Sequence, residues 1–269
     1  MCTLQDGYGY QPCCIMYEGA GLPYMIDERF GIKNYFSMPF DTYGGMDNGD
    51  VFKAHYLAKA FMELPGIGYR YIVTYDYQVD PQLVWTGYET SKRSTQVKDV
   101  RPPPDVMWKH LHKDNRTAIK SAWKNGVTVE VDDENKAMEL LLTQFPEKFL
   151  DALNYHMGRY YFPYIAIVDG KVVVASIMFV YGDTVTYWAS VNTSTGRNTN
   201  ANYMLLWDAI QDAHKAGCKT FNFGASPKGA ESLVKFKYSW GTETHNYEVH
   251  YIIPRPLRPI MRVREWLRS

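Results

Sequence analysis

Between residues 162 and 191 the apolar residues fall in three blocks, 162–168, 171–180 and 185–191, separated by Asp169-Gly170 and Gly182-Asp183. Such pairs accept the positive φ angles of tight hairpin turns, so the blocks predict an antiparallel meander. A polar loop, residues 192–200, follows, with Gly196 and Arg197 inside it. Tyr203, Leu206, Ile210 and Ala213 then recur at helical spacing, and Gly217 is the expected stop. Residues 220–225 predict a strand ending in small residues, and residues 243–253 a last strand.

The first half is less regular. Residues 13–17 and 22–26 predict two strands around Gly19-Ala20-Gly21, and residues 33–38 a third. Pro39 to Gly45 is a loop whose two glycines suit close approach of backbone. Val51, Ala54, Leu57, Phe61 and Leu64 share a helix face that Pro65-Gly66 ends, and residues 69–75 predict a strand. Residues 86–100 are polar and without a strong period, and Pro102-Pro103-Pro104 reads as a linker. Asp105 is suited to cap one long helix ending at Gly126. On it Lys109, Lys113, Arg116, Lys120 and Lys124, spaced four, three, four and four apart, form one cationic stripe. That stripe is either a solvated face or a surface that follows phosphates. Residues 127–131 predict a strand, Asp132 a helix to about residue 144, and Pro146 another to about residue 156.

Composition narrows the class. The 269 residues make one large domain or two small ones. Lys+Arg and Asp+Glu are 29 each, so the formal net charge is 0, which excludes a general basic nucleic-acid coat and an acidic tail. Four cysteines without a C-x-x-C pair are too few for a disulfide scaffold, and point to a reducing compartment. No stretch reaches the ~20 apolar residues of a spanning helix, and no signal peptide is visible. After Pro254 the tail carries five arginines against one acid, Glu265, a composition compatible with anionic lipid or with an ordinary terminus.

Several motifs together resemble the Fem-type aminoacyltransferases, peptidoglycan-bridge enzymes of the GNAT-fold acyltransferase superfamily. Phe162–Gly170 with Lys171–Tyr181 resembles their hydrophobic strand, Asp-Gly, hydrophobic strand. Asn202-Tyr203-Met204-Leu205-Leu206-Trp207 resembles the helix start after the polar loop. Phe221-Asn222-Phe223-Gly224-Ala225-Ser226 resembles "Phe-Asp-Phe-Gly-x-Ser", with Asn222 replacing the acid. The run from Leu233 to Gly241 resembles "Phe-Lys-x-x-aromatic-Gly", and the run from Ser37 to Gly45 "Pro-Phe-x-x-Tyr-Gly-Gly". The run from Asn115 to Val127 is similar to the family's basic helix and following strand.

The resemblance covers residues 12–253 and implies an α+β fold of tandem GNAT-like lobes, each a mostly antiparallel mixed sheet flanked by helices. The first lobe is expected to be shortened at its N-terminus, in line with the tyrosine-rich start. The expected division is 1–100, 101–253 and a basic tail, 254–269. Two departures are visible: segment 143–162 is short, and the helical arm of some tRNA-using members is absent.

For chemistry, the sequence offers no Ser-His-Asp order with recognisable flanks, no G-x-S-x-G elbow and no His-x-x-x-His. His110 and His112 face different sides of a helix. The resemblance makes Lys237, after Phe236, the first candidate for a catalytic residue, an ammonium suited to a developing oxyanion. Asp41, Tyr43, Arg197, Asn202, Ser226 and Phe236 are candidates for substrate binding, and Arg116, Lys120 and Lys124 for facing phosphate or RNA.

The implied function is metal-free, cofactor-free transfer of an aminoacyl or other acyl group to an amine of a cell-wall or surface-polysaccharide precursor. Aminoacyl-tRNA is the implied donor, touching the chain through its acceptor end. The run from Thr195 to Ala201 does not match the pyrophosphate-holding run of ordinary acetyl-CoA users. The expected place is the cytoplasm, or the inner face of the membrane if the tail binds lipid. The alternatives are an acyl-CoA-dependent N-acyltransferase of small amines and a non-catalytic binding module.

Overall fold

The computed structural model of the chain describes residues 2–37, 51–66, 68, 70–75, 89–226 and 229–252. The chain divides into two compact units, one of residues up to 94 with those from 246 onward, the other Thr95–His245. The sequence places boundaries at 100/101 and 253/254. Both divisions fall earlier in the chain, because the end of one polar strand joins the second unit and the last strand pairs within the first.

The first unit begins with helix α1 (Cys2–Tyr8) and three antiparallel strands, β1 (Gln11–Tyr17), β2 (Ala20–Arg29) and β3 (Ile32–Phe36). The β1–β2 turn has positive φ at Glu18 (45°) and Gly19 (78°), the pattern a two-residue hairpin turn requires. After β3 the chain passes through α2 (Val51–Met62) and returns in β4 (Arg70–Tyr75) parallel to β3, a βαβ crossover. Ala54, Leu57, Ala58 and Phe61 of α2 are buried with Leu22, Tyr24 and Tyr35 in one core, as the predicted helix face requires. Helix α1 carries no apolar period that would have announced it.

The second unit takes up strand β5 (Glu89–Asp99) at Thr95. Residues 86–100 gave no strand signal because the positions β5 buries are polar: Thr95, Gln96 and Lys98. The expected long helix is two helices, α3 (Pro104–His110) and α4 (Lys113–Lys124). Leu111 and His112 between them are extended, the His112 amide donates to the Ser239 carbonyl (2.9 Å), and the His112 ring accepts from the Asp114 amide to cap α4. The five-cation stripe is therefore broken: Lys109 sits on α3, paired with Asp105 (3.5 Å).

Strand β6 (Thr128–Val131) follows. The predicted helix after Asp132 is mostly a turn, with only α5 (Met138–Leu141) helical, because the Asp132 carboxylate accepts the amides of Glu134, Lys136 and Ala137. Helix α6 (Glu147–Met157) leads into the predicted meander β7 (Tyr161–Val168), β8 (Lys171–Tyr181) and β9 (Thr184–Asn192). The polar loop contains a short helix, α7 (Ser194–Asn198), before α8 (Ala201–Lys215). Strand β10 (Thr220–Ser226), α9 (Glu231–Tyr238) and β11 (Glu243–Ile252) complete the order. β11 runs antiparallel to β4, from Tyr247 opposite Tyr75 to Ile252 opposite Arg70.

The second unit's strands lie in the order β5-β10-β9-β8-β7-β6. Helix α8 buries Leu205, Leu206, Ala209, Ile210 and Ala213, and α4 buries Ile119 and Ala122, in one core with Ala166, Val174, Met178 and Phe221. The architecture is the α+β class the sequence implied, with mostly antiparallel strands flanked by helices.

Candidate active site

Strands β9 and β10 are parallel, yet they pair only at Thr220–Thr184, Phe221–Val185 and Asn222–Thr186. β9 continues six residues further to Asn192 and β10 four further to Ser226. Two local features accompany the parting. On β9 the register with β8 slips between Ile177–Ala189 and Met178–Tyr187, leaving Trp188 as an extra residue, a bulge that bends its strand. On β10, Gly224 takes φ +74°, and a Cβ there would lie 3.2 Å from the Tyr187 carbonyl oxygen. The Asn222 side chain fixes this kink, its Oδ1 accepting from the Gly224 amide and the Thr95 hydroxyl, both at 2.8 Å. The two strands thus form a fork.

Lys237 stands at β10 beyond the last β9 pairing. Only 4% exposed, it projects from α9, and its Nζ donates to the carbonyls of Gly224 (2.8 Å) and Ala225 (2.7 Å). Burial pushes its pKa down to about 8. Among the described residues no carboxylate pairs with it. Two carbonyls take two of the three ammonium protons, and one is left for a further acceptor.

Ser226 is buried nearby on the same strand and donates to Gln96 Oε1 (3.1 Å). Asn202, at the start of α8, accepts from Tyr187 Oη (3.4 Å) and Ser190 Oγ (3.5 Å), and Ser176 donates to Ser190 (2.9 Å). Burial raises the Tyr187 phenol. Phe236 packs edge-on against Tyr203 and Trp240 in the core, which positions α9. Arg197 is bound to its own loop, donating to the Asn192 carbonyl (2.6 Å). Arg116 turns back to the carbonyls of Leu111 (2.6 Å) and Lys109 (3.2 Å), whereas Lys120 and Lys124 are exposed on α4. Asp41, Tyr43 and the basic tail lie outside the described residues. The structure therefore gathers Lys237, Ser226 and Asn222 on or against β10, and engages Asn202, Arg197 and Arg116 with the protein itself.

Sequence reasoning missed Lys98. It is 2% exposed, its Nζ donates to the Trp240 carbonyl (2.9 Å), and burial lowers its pKa to about 8. It lies in residues 86–100, a polar stretch without a strong period, where nothing marks a buried lysine. A separate cavity of about 230 Å³ is lined by Val129, Glu130, Tyr164, Asp208, Gln211, Asp212 and Lys215, and shares no lining residue with the fork. Burial and the neighbouring Asp212 raise Asp208 to about 6. Among the described residues no group of three His, Cys, Asp or Glu side chains is placed to hold a metal.

Residues 132–238, which include β9, β10 and Lys237, match the family model described as Acetyltransferase (GNAT) domain. No curated protein matches the chain. Among solved structures the chain is similar to FemX, with TM-score 0.68 at 12% identity, covering 96% of this chain and 92% of that one. It is similar to L-PGS from Bacillus licheniformis, with TM-score 0.60 at 11% identity, covering 97% and 88%. It is also similar to the C-terminal domain (DUF2156) of a proposed lysylphosphatidylglycerol synthetase from Agrobacterium fabrum, with TM-score 0.57 at 14% identity, covering 93% and 85%. At these identities the likeness is one of fold. The chain thus shares the GNAT-type fold seen in FemX, and its residues 132–238 match the acetyltransferase (GNAT) domain model.

Proposed function

We propose that the chain is an N-acyltransferase that moves an aminoacyl group from aminoacyl-tRNA to an amine of a cell-wall or surface-polysaccharide precursor. The amine nitrogen attacks the ester carbonyl carbon in the fork. A C–N bond forms, the C–O bond to the tRNA ribose breaks, the amine gives up a proton, and the leaving oxygen gains one. Lys237 lends its free N–H to the oxygen on which charge develops, a contribution of about 2.7–4 kcal/mol for one donor. Holding both reactants between the strands supplies several kcal/mol more. The observation that carries this reading is the fork itself, three paired residues and then a buried ammonium held on two β10 carbonyls. Lys120 and Lys124, beside the exposed indole of Trp123, suit the phosphates and a base of a single-stranded acceptor end. The work would be done in the cytoplasm, where charged tRNA is available, with the basic tail as a contact to the inner membrane face.

A second reading, transfer from acyl-CoA to a small amine, draws support from the acetyltransferase match over residues 132–238. A donor screen separates the two. Purified protein is offered labelled aminoacyl-tRNA and several acyl-CoAs, with label followed onto a panel of amines. Ribonuclease-sensitive transfer supports the first reading and release of free thiol the second. No transfer from either donor class leaves a binding module.

A further inference from the structure

Of the two lysines buried among the described residues, the fork accounts for Lys237 and leaves Lys98 without a part in the reaction. Lys98 lies on β5 and projects into the packing around the C-terminal end of α9, the helix that carries Lys237. Among the described residues its hydrogen bond runs to the carbonyl of Trp240, a residue wholly buried just beyond that helix. The Trp240 amide in turn donates to the Lys237 carbonyl (3.2 Å), which also accepts from the Thr242 hydroxyl (3.1 Å). Two hydrogen bonds through Trp240 therefore join one ammonium to the main chain of the other. The adjacent Asp99 carboxylate attracts the Lys98 ammonium, but burial outweighs that attraction. A buried ammonium held so is expensive, and an apolar side chain of similar length would fill the same space at lower cost. A carbonyl past a helix C-terminus is, however, an acceptor without an intrahelical partner at the negative end of the helix dipole, which a cation satisfies better than any neutral group.

We propose that Lys98 is a positioning residue: through the Trp240 carbonyl it fixes the last turn of α9, and so keeps the Lys237 ammonium on the carbonyls of Gly224 and Ala225. The proposal rests on the reading that Lys237 works in the fork, and it adds a residue that neither touches substrate nor lies within the matched acetyltransferase domain.

The test measures Lys237 directly. Limited acetylation with acetic anhydride across pH 6–11, followed by peptide mass spectrometry, gives the rate and apparent pKa of each lysine in the whole chain. In Lys98→Met the labelling rate of Lys237 at pH 7.5 is expected to rise or fall by at least ~5-fold, and its apparent pKa to move from near 8 toward that of an ordinary lysine. Lys98→Arg, which keeps the charge and the donor, is expected to restore the wild-type profile. Exposed Lys171 serves as the internal control in all variants. If Lys98→Met does not accumulate as folded protein, Lys98→Gln removes the charge with a smaller loss of packing and is read the same way. An unchanged Lys237 profile in the folded variant overturns the proposal. Because labelling needs no substrate, the two ideas fail separately. Full transfer activity in Lys237→Met together with a Lys98-dependent profile defeats the role in catalysis and leaves the positioning link standing.

Discussion

A lysine with a folded pKa near 8 and an unfolded value of 10.5 binds fewer protons folded than unfolded between those values. Stability then rises with pH across that window, and at neutral pH the buried charge of Lys237 is a cost. Retaining it where a neutral side chain would be cheaper fits a group kept for its chemistry. Lys237→Met is expected to lower kcat by roughly 10²–10³ with KM little changed, and calorimetry at pH 8 and 10.5 should show a smaller gain in stability than in the unaltered protein. A kcat equal to the wild-type value excludes the oxyanion role. Asp208 has the opposite linkage. Raised from 3.8 to about 6, it holds a proton in the folded state that the unfolded chain has released, so stability falls as pH rises through that window. Asp208→Asn should raise Tm at pH 7 relative to wild type and leave it nearly unchanged at pH 4. Equal shifts at both pH values would exclude the burial and the Asp212 repulsion as the cause.

The fork is made by elements rather than by any one side chain, and its parts differed in how far the sequence revealed them. The meander, α8 and β10 were legible because apolar residues repeat at the strand or helix period over their whole lengths. β5 was not, since its buried Thr95, Gln96 and Lys98 look like a loop until β10 and α9 supply their partners. The break between α3 and α4 depends on the Ser239 carbonyl, far away in the chain, and propensity alone could not place it. The bulge at Trp188 has no residue signature. Lys237 and Gly224 both fall in motifs that the chain resembles, but nothing in the residues marks Gly224 as a position of positive φ. Its positive φ now makes it testable. An alanine there sits in a left-handed conformation costing about 1–2 kcal/mol, and its Cβ presses on the Tyr187 carbonyl where the strands part. Gly224→Ala is expected to lower Tm by about 2–8 °C. It should also reduce transfer more than Gly217→Ala, a positive-φ substitution with open space around it. Equal loss in the two variants would show that the fork does not depend on Gly224.

At the scale of the whole chain, the formal net charge of 0 leaves no overall field to draw in a polyanionic donor. Attraction must come from local surfaces, and the structure reduces the expected five-cation stripe to a shorter one. Lys109 is paired with Asp105 and Arg116 is committed to main-chain carbonyls, which leaves Lys113, Lys120 and Lys124 exposed on α4. If the donor is the proposed aminoacyl-tRNA, a site of so few cations makes few phosphate contacts, and the salt dependence of its binding should be shallow. Each lysine that neutralises a phosphate of a single strand contributes about 0.7 to the slope of log K against log salt. The double variant Lys120→Gln, Lys124→Gln should therefore flatten the slope by about 1.4 for two such contacts, measured by titrating labelled tRNA at several salt concentrations. Thermal unfolding should be nearly unaffected, because both side chains lie in solvent. If the donor is an acyl-CoA held at the fork alone, the same variant leaves donor affinity and its salt dependence unchanged, so the slope reports which donor the α4 surface serves.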